Sequence, residues 1–375
     1  MISNAIQPQA ANTVVTAMVE ACGVMYRECW GEVLGAVAKL FESLGSTPAM
    51  LQPLIEAVGL LHGAAKANAV DDAIGAAIEH CGPVAVMQVL PLNLFPPAST
   101  DPTQHQPRQW LLPLLKRRTT HGSLQLFVEH FLPAADRVGT MFEQARRINK
   151  LAETEQLREL HQQIWTALEG MCTFPIDTAT VLPSLLEPIN RALHAAHLRT
   201  VVASALERLA NSYRDISADA PKEVAAGVKT LNQHAKTILP QLFNIYSSAQ
   251  PQERPALSDA IRALAAVADT GVVSKFFDTC LKRLIQASMK DDGSQTVNER
   301  LVMTSLALAL VDVLPLKSMA QLYRALQPQF SDADAAVQKQ SYKVLKHLSA
   351  REGFFGEGAK PATVIKALAD SLQVC

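Results

Sequence analysis

The sequence is poor in the features on which most metal-binding and thiol-redox sites depend. Its six cysteines are isolated from one another, and no two of them have the CxxC spacing of a zinc or redox site. We recognise no secretory signal ahead of them and expect reduced thiols that pack as small buried hydrophobic groups. Aromatic residues make up only 5% of the chain. Leu, Ala and Val dominate the apolar residues instead, which favours helix-on-helix packing over a sheet-based core.

A large net charge and a long apolar run are also missing. The formal net charge is −1 over 375 residues, so no global electrostatic field favours nucleic acid. The longest apolar run, at about 301–311, is interrupted by Thr304 and Ser305 and stops at Asp312. A membrane-spanning helix needs roughly 20 apolar residues. We therefore predict no membrane-spanning segment and no membrane partner.

Motifs of the main catalytic classes are absent from the sequence. It has no GxSxG, no HExxH and no dinucleotide-binding glycine pattern. The glycine-rich stretch 353–361 differs from a phosphate loop because Pro361 stands where Ser or Thr should hold magnesium, and we interpret it as a turn. His194 and His197 could supply two metal ligands at a spacing of three, but no third ligand is placed beside them. We therefore predict no enzyme activity, catalytic residue, metal, cofactor or small-molecule substrate.

Helical periodicity, by contrast, covers almost the whole chain. The clearest helix is expected at 334–349, where one apolar arc carries Val337, Ser341, Val344, Leu345 and Leu348. The acidic turn 331–334 just before this helix offers side chains that can cap its first turn. A helix of this length is only marginally stable alone in water, so its apolar arc must be covered by neighbouring helices.

The remaining helices follow from the same periodicity and from proline and glycine at their ends. Including a first segment with a break near Gly23, we predict helices at 11–45, 48–63, 70–80, 84–90, 108–118, 122–132, 134–149, 153–170, 179–195, 198–214, 221–236, 238–248, 254–268, 272–288, 297–313, 316–329, 334–349 and 362–373.

These helices predict a single type of architecture. No segment alternates as a strand would, so we expect no β-sheet. Helix pairs of roughly 40–47 residues are typical of HEAT or armadillo arrays. The predicted fold class is all-α, a right-handed α-solenoid of HEAT/armadillo-like helix pairs. We expect it to run continuously over 11–375, after a disordered terminus at 1–10 and with an irregular proline-rich loop at 94–107.

Three basic clusters are the candidate binding residues. Lys116, Arg117 and Arg118 end one predicted helix, and Arg146, Arg147 and Lys150 end another. The helix dipole alone favours cations at these positions, so a purely structural role is the alternative. The third cluster is Lys339, Lys343 and Lys346, which share the polar face of the helix at 334–349. Three amines on one face can track a phosphate backbone, although a solvated helix face is the alternative.

Several stretches, in their order and spacing over about 80–350, resemble one known family. They are VLPLNL at 89–94, RQWLLP at 108–113, LQLF at 124–127 with FLP at 131–133, QIW at 163–165, CTFPID at 172–177, LPQLFN at 239–244 and the helix within 337–348. In these stretches the chain resembles the nucleolar HEAT-repeat family of ribosomal RNA-processing protein 12. It differs from that family in being much shorter and in lacking a basic C-terminal region.

The resemblance implies a non-enzymatic ribosome-biogenesis factor in the nucleus and nucleolus. Such a factor would act on small-subunit precursor rRNA and in the export of pre-ribosomal particles. The partners implied are pre-ribosomal RNA, assembly factors and the nuclear transport machinery. The alternative is a karyopherin-like transport adaptor or a general protein-interaction scaffold, which the near-neutral net charge favours.

Overall fold

The computed structural model describes residues 8–96, 106–214, 216, 221–289, 293–358 and 360–372. Within these ranges the chain forms eighteen α-helices and no strand, which confirms the all-α prediction. The helices are α1 Pro8–Ala21, α2 Trp30–Leu44, α3 Pro48–Leu60, α4 Ala67–Cys81, α5 Pro83–Val89, α6 Leu111–Arg118, α7 Leu124–Leu126, α8 Leu132–Arg147, α9 Leu151–Met171, α10 Thr178–His194, α11 Arg199–Ser212, α12 Lys222–Ser248, α13 Arg254–Val267, α14 Thr270–Ser288, α15 Ser294–Val311, α16 Leu316–Leu326, α17 Ala335–Ser349 and α18 Pro361–Leu372.

The irregular segments predicted from the sequence are covered only in part. Residues 1–7 of the expected disordered terminus lie outside the described residues, and α1 begins at Pro8. Residues 97–105 of the expected loop at 94–107 also lie outside them. The flanking positions 94–96 and 106–107 are described and are not helical.

Two helix breaks expected at prolines were wrong. The segments expected at 221–236 and 238–248 form the single helix α12, which continues through Pro240. A proline frees the carbonyl four residues earlier, and Lys236 at that position is exposed, so water can satisfy it. The segments expected at 122–132 and 134–149 are likewise joined, because a π-helical turn at Phe127–Phe131 connects α7 to α8.

The chain divides into two compact units, Met1–Leu185 and Leu186–Cys375. In unit 1, α2, α4, α6 and α9 pack side by side in one layer, while α1, α3 and α5 pack in another. Fully buried side chains of unit 1 include Phe41 on α2, Ile74 on α4 and Phe127 in the π-helical turn before α8. Each such side chain contributes about 1.5–3 kcal/mol of gross apolar free energy, which an isolated helix could not gain.

Unit 2 repeats the same two-layer pattern. Helix α13 packs against α11 and α15, and α15 packs against α17, so alternate helices form one layer. Helix α12 packs on α13, and α14 packs on α15. Helices α12 and α14 therefore belong to the second layer, and each pairs with the helix that follows it in sequence. Leu264, Phe277 and Leu322 are buried between the helices, with at most 1% of their surface exposed. Residues on α13, α15 and α17 can therefore share one surface although they are far apart in sequence.

A corner of unit 1 joins two of the stretches that carry the family resemblance. The Asp177 carboxylate accepts hydrogen bonds from Ser123 Oγ at 2.9 Å, from Leu124 N at 3.0 Å and from Gln125 N at 2.9 Å. The same corner brings Gly122 N to 2.6 Å from the carbonyl oxygen of Thr173. The CTFPID stretch thus caps the start of the helix that carries the LQLF stretch.

The expectation of buried cysteines was correct for part of the set. Cys22, Cys172 and Cys280 are buried, and Cys81 is half-buried. Burial raises the pKa of the Cys81 thiol to about 11 and that of Cys280 to about 12. Cys29 is exposed, contrary to the prediction, because it ends the 3₁₀ turn Val24–Cys29, in which no residue is buried. None of the described helices has the length and hydropathy to cross a membrane.

Candidate nucleic-acid interface

Helix α17 carries the lysine cluster, and its own sequence sets its orientation. Asp334 caps the helix, with its carboxylate oxygen Oδ1 accepting from Ala336 N at 2.9 Å and from Val337 N at 3.1 Å. All five residues of the expected apolar arc are buried. Ser341 fits among them because its Oγ lies 2.9 Å from the carbonyl oxygen of Val337. The buried arc forces the opposite face of α17, with its three lysines, into solvent.

The structure separates the three lysines into a pair and a single residue. Lys339, Lys343 and Lys346 are all exposed. Lys343 and Lys346 line a groove of about 670 Å³ that runs from α13 across α15 to α17. Lys339 does not line this groove. The periodicity placed all three on one helix face, but only the last two share a concave surface.

Two arginines of α13 complete the cationic lining of this groove. Arg254 and Arg262 face the groove from one side, and Lys343 and Lys346 face it from the other. Gln340 Nε2 donates to Ser305 Oγ at 3.0 Å, which ties α17 to α15 across the groove floor. The groove has four cationic side chains, whereas Asp259 supplies the only carboxylate among its described lining residues.

The groove also includes a histidine that is already engaged. His347 Nε2 lies 2.6 Å from the Asp312 carboxylate. Arg351 Nη1 donates to the Asp312 carbonyl oxygen at 3.0 Å and lies 3.8 Å from its carboxylate. His347 and Asp312 therefore form a local polar cluster at the end of α17.

The cluster at the end of α6 is tied to neighbouring helices. Lys116 Nζ lies 2.9 Å from the carboxylate of Glu169 on α9. Arg118 Nη2 lies 2.9 Å from Asp72, and its Nη1 lies 3.8 Å from Glu79, both on α4. Arg117 is exposed and donates through Nε to the Pro113 carbonyl oxygen at 3.3 Å. Two of the three cations therefore link α6 to both neighbours in its layer.

The cluster at the end of α8 is exposed and only locally paired. Arg146 lies 3.1 Å from Glu143, and Lys150 lies 2.9 Å from Glu153. Both pairs have a spacing of three residues on the surface, where such pairs contribute little to stability. Arg147 is exposed beside them. This cluster at the end of α8 remains accessible to an anion.

Two stretches considered for chemistry lie in or beside turns. The glycine-rich stretch near 353–361 contains the π-helical turn Phe354–Gly358, and Phe354 is fully buried with its ring 6.0 Å from that of Tyr323. Helix α10 ends at His194, so His197 lies in the following turn and not on the same helix face. No cluster of three potential metal ligands occurs in the part of the chain that the structure describes.

Sequence reasoning missed Arg254 and Arg262. Neither belongs to a run of basic residues, and each lies about 80–90 positions before the lysines it joins. The available signal was the predicted helix pairing. If alternate helices of a solenoid form one layer, the helices at 254–268, 297–313 and 334–349 become neighbours, and their polar faces can be compared together.

The paired helices in two layers and a solvent-facing cationic groove define an α-helical repeat protein of the HEAT type. Residues 1–249 match the family described as ribosomal RNA-processing protein 12, HEAT repeats. The chain belongs to this family. Helices α13, α15 and α17, which carry the cations and the floor of the groove, follow the matched region.

Individual relatives extend the similarity over most of the chain. It is 27% identical to the RRP12-like protein of Homo sapiens over 353 residues, which cover 91% of this chain and 26% of the relative. It is 26% identical to ribosomal RNA-processing protein 12 of Saccharomyces cerevisiae over 306 residues, which cover 75% of this chain and 24% of the relative. The chain thus spans about a quarter of the length of these relatives.

Proposed function

We propose that this chain is a non-enzymatic ribosome-biogenesis factor of the nucleus and nucleolus. It is a HEAT-repeat scaffold that binds pre-ribosomal particles during small-subunit precursor rRNA processing and nuclear export. Its partners are pre-ribosomal RNA and assembly factors, together with the nuclear transport machinery. Membership of the ribosomal RNA-processing protein 12 family is the observation that carries this proposal.

The surface of α17 supports a direct contact with RNA. Lys339, Lys343 and Lys346 are exposed, and the structure gives none of them an ion pair within the described ranges. Phosphates bind such amines with the release of counterions, so the affinity must fall as salt rises. The clusters at 116–118 and 146–150 are weaker candidates, because several of their cations already have carboxylate partners.

The proposal is tested by purifying the tagged chain from its own cells and sedimenting the extract on a density gradient. We expect co-migration with large particles that contain precursor rRNA, and loss of that co-migration after nuclease treatment. Migration only in light fractions with transport factors would contradict the proposal and favour the transport-adaptor alternative. The net charge of −1 is the observation in favour of that alternative.

A charge-reversal variant tests the contact residues separately. Changing Lys339, Lys343 and Lys346 together to Glu should weaken RNA binding without unfolding the chain, because all three side chains are exposed. Binding is measured by fluorescence anisotropy at low salt, and folding by circular dichroism. If the variant binds RNA as tightly as the wild type, the α17 lysines are not the contact site.

A further inference from the structure

The groove between α13 and α17 is a distinct surface that the lysines of α17 form only in part. We propose that it is a track for the phosphates of single-stranded RNA, and that Arg254 and Arg262 supply half of its contacts. This inference rests on the proposed function and names the ligand and the path of that site. It adds a second helix to the proposed RNA contact, because it predicts that α13 contributes as much to binding as α17 does.

The electrostatics of the groove differ from those of the other basic clusters. No carboxylate of the described residues lies within ion-pair distance of Arg254, Lys343 or Lys346. Arg262 alone among the four cations is paired, with Asp259 Oδ1 2.9 Å from its Nη1. At the end of α6, by contrast, two of three cations are paired with carboxylates of other helices. The groove therefore keeps a surplus of positive charge that an anion can use.

Arg254 is held in place by neutral groups. Its Nε donates to the Ala249 carbonyl oxygen at 3.2 Å, and its Nη2 donates to Asn298 Oδ1 at 3.1 Å. Its guanidinium carbon lies 5.8 Å from the centre of the Tyr246 ring. These contacts fix the side chain and leave its charge uncompensated, so little entropy is lost when it binds a phosphate.

The number and spread of the cations favour a ligand with several phosphates. Neighbouring packed helices have axes about 8–10 Å apart, so α13 and α17, with α15 between them, are about 16–20 Å apart. A nucleic-acid strand presents phosphates in series and can occupy cations on both sides of the groove at once. A protein segment with a single phosphorylated residue offers one phosphate to four cations.

The lining favours the backbone of the strand over its bases. Tyr246 is the aromatic residue of the groove, and only 4% of its surface is exposed beneath Arg254. Proteins that hold single-stranded bases usually stack them on exposed aromatic rings. Because Tyr246 is buried, the described lining of the groove offers no exposed Phe, Tyr or Trp ring, so binding should depend on salt and be nearly independent of base sequence.

The test compares three double variants of the full chain. Arg254→Gln/Arg262→Gln changes the α13 side of the groove, and Lys343→Gln/Lys346→Gln changes the α17 side. The matched control is Lys275→Gln/Lys282→Gln, which removes the same charge from exposed positions of α14. Affinity for a fluorescent oligouridylate is measured by anisotropy over a range of salt concentrations, and repeated with an oligoadenylate.

The expected effects follow from counterion release. Each lost phosphate contact makes the slope of log K against log salt less negative by about 0.7 for a single strand. At roughly 0.1 M salt this change lowers the binding constant by a factor of about 5. Each groove variant should therefore bind about 25-fold more weakly than the wild type, with a slope reduced by about 1.4. The control should bind like the wild type, and both oligonucleotides should behave alike.

A variant that is expected to gain affinity distinguishes the loss of a contact from misfolding. Asp259→Asn removes the carboxylate that pairs with Arg262 in the groove, so it should tighten RNA binding. A misfolded chain could not show that gain. Wild-type affinity in the α13 variant would overturn the inference, as would an equal loss in the α14 control. In either case gradient co-migration with precursor particles would still decide the proposed function separately.

Discussion

A hydrogen-bonded corner in unit 1 makes a sharp prediction about stability. Asp177 receives three hydrogen bonds from the start of a helix more than fifty positions earlier in the chain. Replacing it by Ala removes all three acceptor contacts and leaves the N–H groups of Leu124 and Gln125 without a protein partner. Helix caps contribute about 0.5–2 kcal/mol, and hydrogen bonds to charged groups about 1.5–3 kcal/mol each. Because Gln125 is exposed and water can reach it, we expect a total loss of about 3 kcal/mol.

Tryptophan fluorescence can report this loss from unit 1 alone. All three tryptophans, Trp30, Trp110 and Trp165, lie in that unit. For a unit of 150–250 residues, 1 kcal/mol shifts the thermal midpoint by about 2–4 °C. Asp177→Ala should therefore lower the fluorescence midpoint by about 6–12 °C.

Two further variants calibrate the result. Ser123→Ala removes only one of the three hydrogen bonds to Asp177, together with the hydrogen bond that Ser123 Oγ accepts from Leu126 N at 3.2 Å. It should lower the free energy of unfolding by about 1 kcal/mol. Asp269→Ala removes a local cap in unit 2, where no tryptophan lies, so it should shift the tryptophan midpoint less than Asp177→Ala does. The reasoning is refuted if Asp177→Ala shifts the midpoint no further than Ser123→Ala does.

Two other predictions concern buried groups. Arg199 Nη1 lies 2.9 Å from Glu253 Oε1 and 2.8 Å from Glu253 Oε2, and the two side chains are only 14% and 10% exposed. Arg199→Ala should therefore lower the free energy of unfolding by about 3 kcal/mol, as measured by far-UV circular dichroism. The apolar double variant Arg199→Met/Glu253→Leu should recover most of that stability; a double variant as unstable as the single one would contradict this. With Cys375 replaced by Ser, iodoacetamide should label Cys29 in the native protein while Cys280 reacts only after unfolding, because burial raises the Cys280 pKa to about 12. Mass spectrometry of tryptic peptides checks this, and early labelling of Cys280 would be inconsistent with the structure.

The local features of the fold could be predicted from the sequence because their causes are local. The apolar arc of α17 and its Asp334 cap depend only on residues of one short stretch, 334–348, and both are present as expected. Pro240 was misjudged because its effect depends on surroundings that the sequence does not show. A proline can stay inside α12 where the carbonyl it frees is on an exposed turn.

The candidate site could be predicted only by half for a related reason. Lys343 and Lys346 share a helix face, and helical periodicity is enough to find them. Arg254 and Arg262 join them only because α13, α15 and α17 stack in one layer. The chain has no strict sequence repeat from which that stacking could be aligned, so the contribution of α13 emerges only in three dimensions.

The stacking of α13, α15 and α17 also bears on how unit 2 unfolds. In a helical-repeat protein, stability is approximately the sum of the stability of each repeat and the interfaces between nearest neighbours. An anionic strand lying across the groove would add a link between α13 and α17, which are second neighbours in that layer. Such a link stabilises the folded state by mass action and joins helix pairs that could otherwise fray separately. Bound RNA would thus make this end of the chain melt as one cooperative block.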